Sequence, residues 1–531
     1  MMMTERMRKF IRGGISLTAV ALLMRTVGVS FNAYVSTTVG AAGMGLYGLM
    51  MTVYSFAVTF ATSGVNLAAT RLVSEAMGRG DPAEAGRAMR RCLIYAALFG
   101  GTASLILAVG APYFGGHVLG DSRSIPGLRV LSLCLLPISL SSAMNGYFLA
   151  LRRAGRNAMT QLFEQGVRIA VTFCALRAFN ISDLSYACLA LVGGAAISEF
   201  SSFFVLLAQY LLVRRRQART VPRVGGELPG PRGGFARLLH ISLPVAFSAY
   251  FRAALLTAEH LLIPYCIALG GASRTEALSS YGILQSMAIP VILYPMAVLS
   301  SFAGLLVPEL SEDAAAGKQS HIRSVAGRAV HITLLFSIGI GGLMLIFAPE
   351  LGSLIYHSAE AGRYIAMLAP VIPIMYLDHV VDAMLKGVGE QVYSMFINIG
   401  DSLLSIALVR ALLPSFGAAG YVAVIIAAEI FNFSLSITRL HDAVHFRLRI
   451  TRSVLLPLGA VILAATAMRL LLPAAVVPSP GGLCCRVLFT APVYALLLFA
   501  GERLLYPKQK TARASFCPPP LDSARAEEYN K

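Results

Sequence analysis

Runs of about 20 apolar residues recur along the whole chain, separated by short segments that carry the Lys, Arg, Asp and turn residues. A helix rising 1.5 Å per residue needs about 20 such residues to cross a hydrocarbon core of roughly 30 Å. Fourteen runs fit that length, near residues 13–36, 45–67, 92–112, 128–150, 158–178, 185–212, 238–263, 280–302, 329–348, 364–385, 391–411, 418–438, 453–472 and 484–505. Several contain residues that would break a helix in water, among them Gly193-Gly194, Pro244, Pro290, Pro295, Pro370 and Pro373. Packed neighbours can re-satisfy such backbones inside a membrane. The pattern predicts an all-α polytopic membrane protein. Composition agrees: of 531 residues 56% are hydrophobic and 13% charged, with mean hydropathy +0.70, against about 25% charged in a soluble domain. No polar stretch is long enough to hold a separate soluble domain.

The charged segments predict an orientation. The opening MMMTERMRKFIRGG is basic, and no small-residue cleavage pattern follows the apolar run behind it, so a retained first span is expected. With that end in the cytoplasm, RRAGR at 152–156, RRRQAR at 214–219, the basic residues of 318–328 and 439–452, and the C-terminal tail share its side. The opposite segments, 37–44, 113–127, 179–184, 264–279, 349–363, 412–417 and 473–483, are short and poorer in Lys and Arg. This is the positive-inside distribution for an even number of spans with both termini cytoplasmic. The net charge of +18 then reflects topology and contact with anionic lipid, and nucleic acid is not needed as a partner.

Catalytic chemistry has little foothold. The short loops leave no room for the folded surface of a membrane glycosyltransferase. No P-loop is present, and His441 and His445, four residues apart, lack the acid of a metalloprotease motif. The eight cysteines (Cys92, Cys134, Cys174, Cys188, Cys266, Cys484, Cys485 and Cys517) show no ligand spacing and read as packing residues. A transporter, not an enzyme, is expected, without a resident cofactor or metal.

The chain also repeats itself. Tyr47-Gly48 returns as Tyr281-Gly282, Gly155 and Gly166 as Gly389 and Gly400, AGRA at 85–88 as AGRA at 326–329, and Ile15-Ser16-Leu17 as Ile241-Ser242-Leu243. The order is kept and the offsets are nearly constant. Two six-helix lobes in parallel orientation are therefore predicted, over 1–213 and 238–440, joined by a cytoplasmic linker at 214–237. Two additional spans over 441–505 and a tail over 506–531 follow. Parallel repeats about an axis along the membrane normal are a transporter device, with the binding site between the copies.

Charges inside the spans mark that site. Arg25 lies about 20 Å into the first helix, too deep for easy snorkelling, and Arg252 is its counterpart in the second copy. A pair of guanidiniums facing each other across the axis would suit a diphosphate, whose oxygens match the arginine fork; the alternative is that each is paired with a buried acid. In the fifth span Glu164 and Arg168 share a helix face at i,i+4, which fits ligand contact or a self-satisfied ion pair. Asp378, Asp382 and Lys386 fall on one face of the tenth span; the two carboxylates could bind a coupling cation or proton, or Asp382 could simply pair with Lys386. Glu259 of the seventh span is a further candidate for ion coupling. Glu199, Asp401 and Glu429 read as structural or edge residues.

Three stretches carry a resemblance: GLYGLMMTVYSFAVTFATSGVNLAATRLVSE (45–75), YFLALRRAGRNAMTQLFEQGVRIA (147–170) and YGILQSMAIPVILYPMAVLSSFAGLLVPELSE (281–312). With them the chain resembles the polysaccharide-transporter branch of the multidrug/oligosaccharidyl-lipid/polysaccharide exporter superfamily, and within it the sporulation-protein and lipid II flippase-like members. The resemblance implies a central cavity, alternating access and an undecaprenyl-diphosphate-linked saccharide as substrate, in sporulation or cell-wall synthesis. It places the family's basic first-helix position at Arg25 and its polar pair at Glu164 and Arg168. Lys386 departs from it, standing where a glutamine is expected. The implied partners are a lipid-linked oligosaccharide, anionic lipids and cell-wall synthesis proteins, with sodium, protons or the membrane potential as driving force. Two rivals remain at this point: a cation-coupled multidrug exporter of the same architecture, and a non-transporting envelope scaffold.

Overall fold

The computed structural model describes residues 5–79, 81–151, 154–178, 184–220, 234–446, 448–471 and 480–505. Among these the chain is helical with short turns, and no strand occurs. Two compact units are formed, Met1–Leu448 and Arg449–Lys531. Most of the linker expected at 214–237, and the C-terminal tail, lie outside the described residues; α6 (Leu184–Thr220) precedes the gap and α7 (Gly234–Leu269) follows it.

Eleven described helical stretches are long and apolar enough to cross a membrane. Two of them, Leu23–Gly78 and Gln391–Val444, are 56 and 54 residues long, about twice what one crossing needs. Both turn at a glycine. In α1 (Glu5–Thr62) the helical path breaks at Gly40, and in α14 (Gln391–Val444) at Gly417. Both glycines fall in segments the sequence assigns to short outer loops. The helix α5 (Ala154–Ala178) is not among the eleven, because Gln161, Glu164, Gln165 and Arg168 dilute its apolar run. Fourteen crossings require α1 with α2 (Val65–Gly78) and α14 each to be counted twice and α5 to be added.

In the larger unit, α3 (Pro82–Tyr113) packs on α4 (Ile125–Ala150), and α5 on α6. In the second half α11 (Gln319–Tyr356) packs on α12 (Ala359–Leu368) and α13 (Ile372–Gly387), and α13 on α14. The halves meet where α1 packs against α7, α8 (Arg274–Gly282) and α10 (Met296–Ala315). The smaller unit holds α15 (Leu456–Leu471) and α16 (Pro480–Leu505), tied by Arg452 and Glu502 at 2.9 Å.

The second candidate span of each half is interrupted along its length. In the first half the break is Ser63-Gly64, between α1 and α2, with Gly64 at φ 79°, a left-handed conformation that glycine adopts without a Cβ penalty. In the second half it is Tyr294-Pro295, between α9 (Ile289–Leu293) and α10, where Pro295 supplies no N–H. A break exposes carbonyls that a membrane cannot solvate, so partners must be found nearby. Phe60 O accepts from the Tyr250 hydroxyl of α7 at 3.1 Å, and Ala61 O from the Ser139 hydroxyl of α4 at 2.7 Å. Leu293 O accepts from Arg25 of α1 at 3.2 Å, and Ile292 O from the Tyr376 hydroxyl of α13 at 2.5 Å. The scheme is the same twice: one carbonyl is served by the first helix of the opposite half, the other by the fourth span of its own half. The two breaks thus share one hydrogen-bonding pattern.

Candidate functional site

A cavity of about 620 Å³ lies between the halves, within the roughly 300–1,000 Å³ usual for small-molecule sites. Its walls come from α1 (Met24 to Tyr47), from α5 and α6, and, in the second half, from Ile289, Pro290 and Leu293 of α9. The lining is mostly apolar, with Arg25, Asn32, Tyr47, Gln165, Arg168 and Thr172 as its polar groups. Arg25 is thus one of the residues that line this cavity. Its guanidinium donates to the freed Leu293 carbonyl, and next to it the Thr26 hydroxyl meets the Tyr294 hydroxyl at 2.8 Å. One bond to a neutral carbonyl leaves an arginine with donors and its full charge for a ligand.

Arg168 enters the same cavity differently. It pairs with Glu164 at 3.2 Å and with Glu199 of α6 at 3.6 Å, and donates to the Ser198 hydroxyl at 3.3 Å. Two acids flank this one guanidinium, so Arg168 is a fixed, oriented donor, whereas the hydrogen bond of Arg25 is to a neutral carbonyl. Of the two readings of Glu164 and Arg168, the ion pair is present, with Glu199 as a third member that the sequence assigned to structure. Nothing local to Glu199 marks it; only the packing of α6 on α5 brings it to Arg168. Asn32 was also missed. It donates to the carbonyl of Ser286, inside a π-helical stretch Ile283–Ala288, a local distortion frequent at functional sites.

The other sequence candidates lie elsewhere. Arg252 is exposed on α7 and does not line this cavity, so the structure does not bring it to Arg25. The reason is a local shift: Tyr250 reaches Phe60 O as Arg25 reaches Leu293 O, which leaves Arg252 outside the matching contact. Asp382 pairs with Lys386 at 2.5 Å and also meets the Ser394 hydroxyl, which is the ion-pair alternative of its two readings. Asp378 receives a hydrogen bond from Asn432 at 3.2 Å, and Glu259 lies beside Ser405 and within electrostatic reach of Asp401. These acids belong to the second half alone. Among the described residues no group of three or more His, Cys, Asp or Glu is placed to hold a metal ion. Cys92, Cys134, Cys188 and Cys266 are buried and unbridged, as expected of packing residues.

Comparison with known proteins follows the same lines. A model of the family described as polysaccharide biosynthesis protein matches residues 10–314, and one described as MatE matches 266–409. The chain is 26% identical to stage V sporulation protein B of Bacillus subtilis (strain 168) over 444 residues, 82% of this chain and 83% of that protein. It is 24% identical to the lipid II flippase MurJ of the same organism, over 73% of this chain and 74% of that one. Among solved structures, lipid II flippase MurJ in an inward closed conformation superposes with a TM-score of 0.69 at 13% identity, covering 92% of this chain and 99% of that one. An inward-facing multidrug resistance MATE family transporter of the MOP superfamily gives 0.60 at 16% identity, covering 80% and 98%. These likenesses extend over both halves and agree on the fold.

Proposed function

The chain belongs to the polysaccharide biosynthesis protein family, and from that premise we propose that it carries a polyprenyl-diphosphate-linked saccharide across a bacterial plasma membrane by alternating access. The observation that carries this reading is the placement of Arg25: an arginine held by a neutral carbonyl, on the wall of a cavity lined by both halves. A diphosphate has the charge and the oxygens to take its remaining donors. Arg168, Gln165, Asn32 and Tyr47 offer directed polar contacts to the sugar side of such a headgroup, while the polyprenyl chain stays in lipid. The relatives named for sporulation and for lipid II support a cell-wall precursor as substrate.

With the basic segments in the cytoplasm, the headgroup enters at the Arg25 end and leaves at the Tyr47 end. Outward movement of a net anion is favoured by an inside-negative potential, by about 2.3 kcal/mol per charge per 100 mV. The acids of the second half, Glu259 and Asp378, are the proposed seat of any coupling sodium ion or proton; Asp382, held by Lys386, drops from that role. A multidrug exporter of cationic compounds would want the reverse polarity at the cavity wall.

Reconstitution tests the reading. Purified protein in liposomes carrying a labelled undecaprenyl-diphosphate-linked saccharide should expose label on the far leaflet faster than protein-free liposomes, and should leave a labelled phosphatidylglycerol probe in place. Exposure no faster than in protein-free liposomes, or efflux of a cationic dye in its stead, would overturn it.

A further inference from the structure

The end of the cavity remote from Arg25 is shut by contacts between the halves. Gly45 of α1 and Gly282 of α8 touch backbone to backbone: a Cβ on Gly45 would overlap the Leu278 carbonyl, and one on Gly282 the Ala41 carbonyl. Beside them Tyr281 is fully buried, bonded to His260 at 3.3 Å. Farther out, Arg274 opens α8 behind a capping box in which Ser273 and Glu276 exchange hydrogen bonds of 3.2 and 2.8 Å. This fixes the arginine's backbone. Its guanidinium reaches across to the first half and donates to the Leu119 carbonyl.

The receiving loop is shaped for it. Gly120 has φ 60°, and a Cβ there would stand 2.7 Å from both terminal nitrogens of Arg274. Conformation and space both call for glycine at this one position. Next to it Asp121 is nearly buried, gripped by Arg123 at 2.7 Å and within electrostatic reach of Arg274. The Leu119 and Asp121 amides are tied back to Phe114 and Gly115 at 2.7 and 2.8 Å.

We propose that Arg274 and the Leu119-Gly120-Asp121 loop form a latch that holds the halves together at this end of the cavity and must release before the cavity opens there. Hydrogen–deuterium exchange on the full chain in nanodiscs tests it and needs no substrate, so its outcome is separate from the flippase reading. Arg274→Ala, and independently Gly120→Ala on the other side of the contact, should raise exchange at least tenfold not only in 118–124 and 273–276 but also in 41–48 and 278–285, where the glycine contact parts. Exchange in 65–76 and 143–150 should stay unchanged. Arg274→Lys, which keeps the charge and loses the fork, should show a smaller rise in the same segments, and serves if the alanine variants unfold throughout. A rise confined to 118–124 and 273–276, or no rise, would overturn the latch.

Discussion

The two breaks in the second spans are built alike and used differently. At Ser63-Gly64 the opposite half contributes Tyr250, a neutral hydroxyl whose hydrogen bond completes the repair. At Tyr294-Pro295 it contributes Arg25, which repairs a carbonyl and still has a charge and donors facing the cavity. The fourth spans differ as well. Ser139 shares its one hydroxyl proton between the carbonyls of Ala61 and Ala96, whereas the Tyr376 hydroxyl accepts from the Met296 amide and donates to the Ile292 carbonyl. The two halves thus share a pattern of structural bonds, and the second break brings an arginine to the cavity.

The largest expected effect breaks that comparison directly. Arg25→Ala should cut saccharide-lipid transport about 10- to 100-fold, the worth of one or two charge-assisted hydrogen bonds, with normal insertion into the membrane; Arg252→Ala should stay within about twofold. Next come the hydroxyls of the fourth spans. Tyr376→Phe should destabilise the protein by about 2–3 kcal/mol, because it strands two backbone groups in a dry place, measured by thermal melting in nanodiscs. Ser139→Ala strands carbonyls alone and should cost about 1–2 kcal/mol.

A smaller effect is expected at the outer loop. Burial alone would raise the Asp121 carboxyl, but the hydrogen bonds and charge of Arg123, with Arg274 behind, hold it below the usual carboxylate range. A depressed folded-state value means the stabilisation is fully present above the unfolded value near 3.9 and is lost as pH falls through the folded one. Asp121→Asn should therefore lower the melting temperature at neutral pH, and the gap to the parent protein should close under acid. Smallest is Asp382→Asn: its partner Lys386 is 47% exposed, and such pairs contribute about 0–1 kcal/mol, so melting and transport should barely move.

Much of this architecture was readable in the chain, for physical reasons. Apolar runs long enough for a membrane have few alternative fates, and an arginine deep in such a run must face water or a partner, which singled out Arg25. The i,i+4 pair of Glu164 and Arg168 follows from helix geometry alone. The pairing of Arg25 with Arg252 failed because a repeat aligned on Ile15 and Ile241 fixes depth but not which neighbouring residue turns toward the axis; Tyr250 took that place. Glu199, Asn32 and the Leu293 carbonyl were illegible because their roles arise from contacts across more than 30 residues of chain, and a backbone carbonyl freed by a helix break has no signature except the Pro295 that helps to free it.

The central claim is that one arginine, on one side of the pseudo-axis, meets the anionic headgroup. Its most direct test is equilibrium binding of a short-chain polyprenyl-diphosphate saccharide to the full-length protein in nanodiscs, compared among the parent, Arg25→Ala and Arg252→Ala. A rise in Kd of tenfold or more for Arg25→Ala, with Arg252→Ala unchanged, is the predicted result. Equal losses in both variants, or an unchanged Kd in Arg25→Ala, would contradict it.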